Sequence, residues 1–337
     1  VLLFEKKLNI LLLSKMFSFI LSIIILTTCL SFFSKSIGKK LQLLDLPDKG
    51  KIHSTATPII GGIIIFLSLS LLFIFKFNTI ANNQIILIIY LLSFFVVGFF
   101  DDKYNIFSSI RILLILIISL IFILLNDFFV IEKIFFENLN SEYYFGRLKI
   151  IVTLACILLL YVAMNMTDGI NGLVILISIG SIIIMKNLIS NSELNLIDIT
   201  LLSTLITLFP FNYNNKLFLG NSGATILASY FIFTSIELNY YSKIDVFSII
   251  SIFLIMGIDM VRLFFLRVFK KKSPFARDQK HFHYILLRKF NLIYANLIYV
   301  SLSFFPIVIS NIIKTSIIYF VFISIFTYFV LIFKFDN

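Results

Sequence analysis

Two adjacent carboxylates, Asp101 and Asp102, end an apolar run in the stretch Gly-Phe-Phe-Asp-Asp-Lys-Tyr-Asn. Neighbouring acids at the mouth of a helix bundle repel each other unless a cation shares them. Hard oxygen donors of this kind suit Mg²⁺, which also binds substrate phosphates. If the helix continues, Asp101 and Asn105 share a face at i, i+4. A solvated helix end is the plainer account, but acids at a helix carboxyl terminus oppose the macrodipole. Four further polar clusters interrupt the apolar chain, at residues 45–58, 165–172, 212–221 and 273–284, and together the five hold all three histidines.

Each cluster has a chemistry of its own. Residues 165–173 read Asn-Met-Thr-Asp-Gly-Ile-Asn-Gly-Leu. Thr167 or Asp168 can cap the following helix, and the glycines permit a tight turn. That leaves the density of amides and carboxylate unexplained, and such groups could read a sugar amide or a nucleobase. Phe-Leu-Gly-Asn-Ser-Gly at 218–223 precedes another apolar run, where a helix start would offer free backbone amides to an anion. At 277–283 the chain reads Arg-Asp-Gln-Lys-His-Phe-His. His281 and His283 alternate, so in extended chain they point the same way; clustered His and Arg beside a membrane suit a pyrophosphate. Asp259 and Arg262 can pair at i, i+3, and the desolvation cost of burying such a pair places them against a polar cavity. The third histidine, His53, lies in Asp-Leu-Pro-Asp-Lys-Gly-Lys-Ile-His, ahead of Pro58 at a helix start. No P-loop, paired zinc cysteines, HExxH, GxSxG or dinucleotide fingerprint appears.

The elements that must position these groups follow from composition. The 337 residues are 60% hydrophobic and 13% charged, with a mean hydropathy of +1.06. A soluble domain of this length could not hide so much apolar surface, so the bilayer is the solvent and the spans are helices that satisfy their own backbone groups. The pattern predicts an all-α, polytopic membrane protein of about eleven helices, near 10–33, 58–77, 84–100, 110–126, 148–164, 173–189, 197–211, 222–237, 245–266, 291–311 and 315–334. The chain reads as a single domain, 1–337, without a 20–50-residue repeat. Seventeen of the 28 Lys and Arg fall in the loop set that carries every polar cluster, against ten in the other set. The positive-inside rule makes that first set cytoplasmic (loops 34–57, 101–109, 165–172, 212–221 and 267–290), with the amino terminus outside and the carboxyl terminus inside. The opposite loops, such as 127–147, look ordinary. The net charge of +11 sets topology and meets anionic lipid, with no compact basic domain for nucleic acid. Cys29 and Cys156 sit in apolar runs with no metal-ligand spacing. A transporter would bury polar residues at mid-bilayer, often in related halves; here they gather at one surface.

In order, spacing and membrane side, residues 45–290 resemble the polyprenyl-phosphate N-acetylhexosamine-1-phosphate transferases (glycosyltransferase family 4). Asp45 to Gly62 resembles that family's D-x-P-x-x-R-K-x-H…P-x-x-G-G, and Asp101, Asp102 and Asn105 its D-D-x-x-D/N. Asn165, Asp168, Gly169, Gly172 and Leu173 resemble N-x-x-D-G-x-D-G-L; Phe218, Gly220 and Gly223 resemble F-x-G-D-x-G. The His281 loop is closer to the WecA-type D-R-x-H-x-H-H than to the consecutive histidines of MraY. The chain departs from the pattern at Asn171, Tyr284 and Asn221, the last standing where the family has a metal-ligating Asp. The resemblance implies transfer of N-acetylhexosamine 1-phosphate from a UDP-sugar to undecaprenyl phosphate, releasing UMP, at the cytoplasmic face of the inner (plasma) membrane. It implies Mg²⁺, or Mn²⁺, near Asp101, Asp102 and Asn221. Asp101, Asp102, His281 and His283 would be catalytic. Lys51, His53, Asn105, Asn165, Asp168, Asn171, Phe218 and Arg277 would bind substrate, with Phe218 stacking on uracil. A homodimer fits the resemblance as well. An alternative is an impaired member with a scaffold role, because of Asn221.

Overall fold

The computed structural model describes residues 2–47, 55–75, 82–188, 194–241, 244–273 and 278–335, with the backbone alone for residues 2–13. Each of the eleven expected apolar runs contributes a helix. In chain order the helices are α1 (Leu2–Phe32), α2 (Ser34–Leu41), α3 (Gly61–Ile74), α4 (Asn82–Tyr104), α5 (Ser108–Leu125), α6 (Lys149–Thr167), α7 (Leu173–Asn187), α8 (Leu196–Tyr213), α9 (Gly220–Tyr241), α10 (Val246–Phe269), α11 (Phe282–Lys289), α12 (Leu292–Ile313) and α13 (Ile317–Phe335). The two additional helices, α2 and α11, are short, at eight residues each. Eight helices among the described residues (α1, α4, α5, α6, α8, α10, α12 and α13) are long and apolar enough to cross a bilayer, while α3 and α7 are apolar but only 14 and 15 residues long. The outward faces match a lipid solvent. Ile110, Leu113, Ile117, Ile121 and Leu124 along α5 are exposed, as are Phe322, Phe326, Phe329 and Phe333 along α13. Continuous apolar stripes of that kind are tolerated where acyl chains cover them.

The core is built around α9, whose residues 222–234 are buried without interruption. Its first turns are small and polar, Gly-Asn-Ser-Gly-Ala-Thr, and small residues let neighbouring backbones approach closely. Helix α4 packs along α9, with α3 and α6 on other sides. At Gly98 of α4 an added Cβ would lie 2.6 Å from the Ser222 Cα. That close approach brings Asp102, one turn further along α4, up against the amino terminus of α9.

Two small antiparallel ribbons accompany the helices: β1 (Leu44–Asp45) with β2 (Thr57–Pro58), and β3 (Lys133–Phe136) with β4 (Ser141–Tyr144). The β2 segment also grips the loop before α9. The Phe218 N–H donates to the Pro58 carbonyl at 2.8 Å, and the Gly61 N–H donates to the Phe218 carbonyl at 3.0 Å. The Pro58-to-Gly62 segment therefore holds the Phe218–Gly220 turn in place. The β3–β4 hairpin occupies the stretch expected as an ordinary loop. Its register runs from Lys133 opposite Tyr144 to Phe136 opposite Ser141, and the Lys133 Nζ donates to both Glu142 carboxylate oxygens at 2.9 Å.

Candidate active site

The ends of α4, α6, α8 and α10 and the starts of α5, α9 and α11 surround one cavity of about 1090 Å³. Asp101, Asp168 and His281 all open into it, as do Asp102, Asn105, Asn165, Asn171, Phe218 and Asn221. Lys51, His53 and Arg277 lie outside the described residues; the first cluster reaches the wall through Asp45.

The two adjacent acids do different things, because neighbours on a helix point about 100° apart. Asp101 is buried and forms an ion pair with the Arg111 guanidinium at the start of α5. Asp102 turns toward α9. Its carboxylate accepts the Asn221 N–H at 2.7 Å, the Ser222 N–H at 2.9 Å and the Ser222 hydroxyl at 2.6 Å. These are the unsatisfied donors of a helix amino terminus, and a negative charge there also suits the macrodipole. The anion that fills the α9 amino terminus is thus a side chain of this chain. Asn105 reaches the wall by another route than a shared helix face. Helix α4 ends at Tyr104, and Asn105 turns left-handed at φ 49°, its N–H bonded to the Asp101 carbonyl at 2.9 Å. Asn tolerates that backbone better than most residues.

The 165–172 segment borders the same cavity as the acids. The Asn165 Nδ2 donates to the Tyr161 carbonyl at 2.9 Å, while its Oδ1 is buried with no hydrogen-bond partner. Burial, and then the Asp102 charge, push the Asp168 carboxyl up to about 7. A net of carboxamides ties this turn to the loop before α9. Asn171 Nδ2 donates to Asn215 Oδ1 at 2.6 Å, the Gly172 N–H donates to Asn212 Oδ1 at 2.7 Å, and Asn212 Nδ2 donates to the Leu217 carbonyl at 3.2 Å.

His281 and His283 part company at the start of α11. His281 sits in extended conformation just before the helix and lines the cavity. His283, two residues on and already helical, is buried behind the wall, its ring stacked on that of His281 at 5.3 Å between centroids. Neither of its ring nitrogens has a partner, and burial above all lowers its pKa to about 3, so it is neutral. It packs under the Asp168 turn: a Cβ at Gly169 would collide with the His283 ring, and would come within 2.8 Å of the Tyr284 hydroxyl. The glycine after Asp168 makes room for this histidine.

Three groups that a reading of motifs passes over complete the wall. Arg111 and Arg267, which from sequence count only toward topology, line the cavity, and so does Asp278. Arg267 Nε donates to Asp278 Oδ2 at 3.1 Å. Burial works to raise the Asp278 pKa, but that bond and the Lys280 N–H hold it below the usual carboxylate value. The signal for both arginines is their position, one turn inside an apolar helix at the end that faces the polar clusters. Asp259 and Arg262 do pair, at 2.8 Å, yet Asp259 is buried behind His281, off the cavity wall. Among the described residues no three His, Cys, Asp or Glu side chains gather as a metal cluster.

Residues 84–239 match the model of the glycosyl transferase family 4. The chain is also similar to proteins named undecaprenyl-phosphate alpha-N-acetylglucosaminyl 1-phosphate transferase. The one from Thermotoga maritima is 28% identical over 285 residues, covering 81% of this chain and 84% of that protein. The one from Escherichia coli strain K12 is 24% identical over 286 residues, and that from Salmonella typhi 25% over the same length, each covering 80% of this chain and 76% of the relative. The matched segment carries Asp101, Asp102, Asn165, Asp168 and Asn221, three of the five polar clusters fall within it, and the wider similarity to the named transferases spans four-fifths of the chain: over those residues this chain is similar to glycosyl transferase family 4.

Proposed function

We propose that this cavity transfers N-acetylhexosamine 1-phosphate from a UDP-sugar to undecaprenyl phosphate. An oxygen of the lipid phosphate attacks the β-phosphorus, the bond from that phosphorus to the bridging oxygen breaks, and UMP leaves. The observation that carries this reading is the meeting of Asp101, Asp168, His281, Arg111 and Arg267 in one cavity at the polar ends of a lipid-facing bundle. At about 1090 Å³ it is large for a single small ligand, which suits two substrates side by side. Transfer between phosphates needs positioning and charge neutralisation more than covalent help. Arg111 and Arg267 supply fixed positive charge, and an arginine fork matches phosphate oxygens. Asn165, Asp168 and Asn171 face the donor's nucleotide or sugar, and Phe218 offers a ring to the base. The excess of basic residues in the loops around the cavity argues for its opening to the cytoplasm at the inner membrane. A transporter is disfavoured, since the titratable groups that line the cavity collect at one end of the bundle.

Mg²⁺ fits the residues present. The unpartnered Asn165 Oδ1, Asp101 and the Asn221 amide offer hard oxygens around the same cavity, whereas three accepted hydrogen bonds leave Asp102 little capacity for a metal. A bound Mg²⁺ would screen the pyrophosphate charge. Asn221→Asp adds a carboxylate beside Asp101 and Asp102 that only a cation relieves, so it is expected to lower the Mg²⁺ concentration for half-maximal activity by roughly tenfold. An unchanged Mg²⁺ titration would remove position 221 from the metal site.

The direct test is UMP release and formation of lipid-linked sugar by the purified protein. It is given undecaprenyl phosphate and a panel of UDP-N-acetylhexosamines, including 6-deoxy forms. At least one donor is expected to turn over. No product from any of them, in protein that remains folded, would overturn the reading.

A further inference from the structure

Asp259 belongs to none of the polar clusters, and the cavity does not touch it, yet its carboxylate is the most heavily bonded group near the site. It lies in α10 and is 3% exposed. Four donors converge on it: His281 Nδ1 at 2.9 Å, Arg262 Nη2 at 2.8 Å, the Tyr328 hydroxyl at 2.7 Å, and the Phe282 N–H at 3.1 and 3.2 Å to its two oxygens. Arg262 is itself tied down, with Nε donating to the Tyr328 hydroxyl at 2.8 Å and Nη2 to the Lys280 carbonyl at 2.7 Å. Three parts of the chain therefore meet at one carboxylate: α10, α13 and the turn that enters α11.

The arrangement constrains His281. Its Nδ1 faces a carboxylate, which only accepts. Its Nε2 lies 3.4 Å from Arg267 Nη2, and a guanidinium only donates. Both neighbours are satisfied together by one tautomer, with the proton on Nδ1 and the lone pair of Nε2 toward Arg267 and the cavity. A carboxylate behind an imidazole sets the tautomer and the ring orientation in this way. Arg262 balances the Asp259 charge, so the pair stays buried without an uncompensated ion.

We infer that Asp259 is a positioning residue that holds His281 with Nε2 presented to the cavity as a hydrogen-bond acceptor. Building on the transferase reading, Nε2 exchanges its long contact with Arg267 Nη2 for a protonated phosphate oxygen, from which it accepts, while Arg267, so released, and Arg111 supply the positive charge. Tyr328 links the last helix, α13, to the same device.

The test reads the tautomer directly. With ¹⁵N-histidine incorporated, the chain has only three imidazoles to resolve, and His281 is assigned by the loss of its signals in His281→Gln. In wild-type protein in nanodiscs the His281 proton is expected on Nδ1. In Asp259→Asn the side chain offers both an acceptor oxygen and a donor N–H₂, so it no longer holds the proton on Nδ1, and a mixture of the two tautomers is expected. That variant should lose about 10²- to 10⁴-fold in kcat, with KM for the UDP-sugar within about threefold. A wild-type proton on Nε2, or an Asp259→Asn enzyme within threefold of normal kcat, would overturn the inference. The wild-type spectrum decides the matter even if Asp259→Asn does not fold. It also stands apart from turnover: inactive wild-type protein with the expected tautomer would count against the transferase reading and leave the positioning role intact.

Discussion

Asp101→Asn is expected to lower UMP release by about 10²- to 10⁴-fold while leaving most of the fold's stability in place; Asp102→Asn is expected to lower activity and stability together. The difference follows from what each carboxylate touches. Asp101 faces the cavity and pairs with Arg111, whose side chain is 20% exposed, so water can take over part of the lost interaction. Asp102 answers three donors at the start of α9. An amide there must turn its own N–H₂ toward one of those donors, leaving a buried donor unsatisfied at about 1–3 kcal/mol, and more because the lost acceptor was charged. The loop that carries Phe218 and Asn221 then loosens. Kinetics and thermal unfolding in the same detergent separate the two variants. Near-normal turnover in both would remove the acidic pair from the reaction, and an Asp102→Asn protein as stable as wild type would remove its capping role.

The second large effect lies away from the cavity. Asp198, fully buried in the first turn of α8, pairs with Lys186 of α7 at 2.8 Å. It also accepts the Tyr230 hydroxyl of α9 at 2.6 Å and closes a capping box through the Asn195 N–H at 2.8 Å. One carboxylate therefore joins three helices. Removing one member of a buried ion pair costs roughly 3–5 kcal/mol, because the partner charge is left behind. The Lys186 side chain keeps 16% exposure, which points to the lower end, about 3 kcal/mol. Asp198→Asn should therefore melt well below wild type and yield less monodisperse protein from the membrane. The molecules that remain folded should turn over normally, since neither residue borders the cavity. Unchanged melting in both Asp198→Asn and Lys186→Met would show that the pair contributes nothing net.

The order of the helices, their approximate ends and the gathering of polar clusters at one end of the bundle were all legible in the sequence. In a bilayer a backbone must satisfy its own hydrogen bonds, so an apolar run of sufficient length has to be a helix. Each charged cluster then has to sit at a helix end. The carboxylate pair, the Asn165–Asn171 turn and His281 could be picked out because polar groups in such a chain have few structural excuses. What tertiary packing alone decided is the division of labour among them. Nothing in two consecutive aspartates says which one turns inward; that depends on α4 meeting α9 closely enough at Gly98 for Asp102 to reach residues 119 and 120 positions away. The same holds for Arg111 against Asp101, for His283 beneath the Gly169 turn, and for Asp259 behind His281. Hydrogen bonds act over about 3 Å, and contacts at that range between distant parts of a chain are set by how whole helices pack.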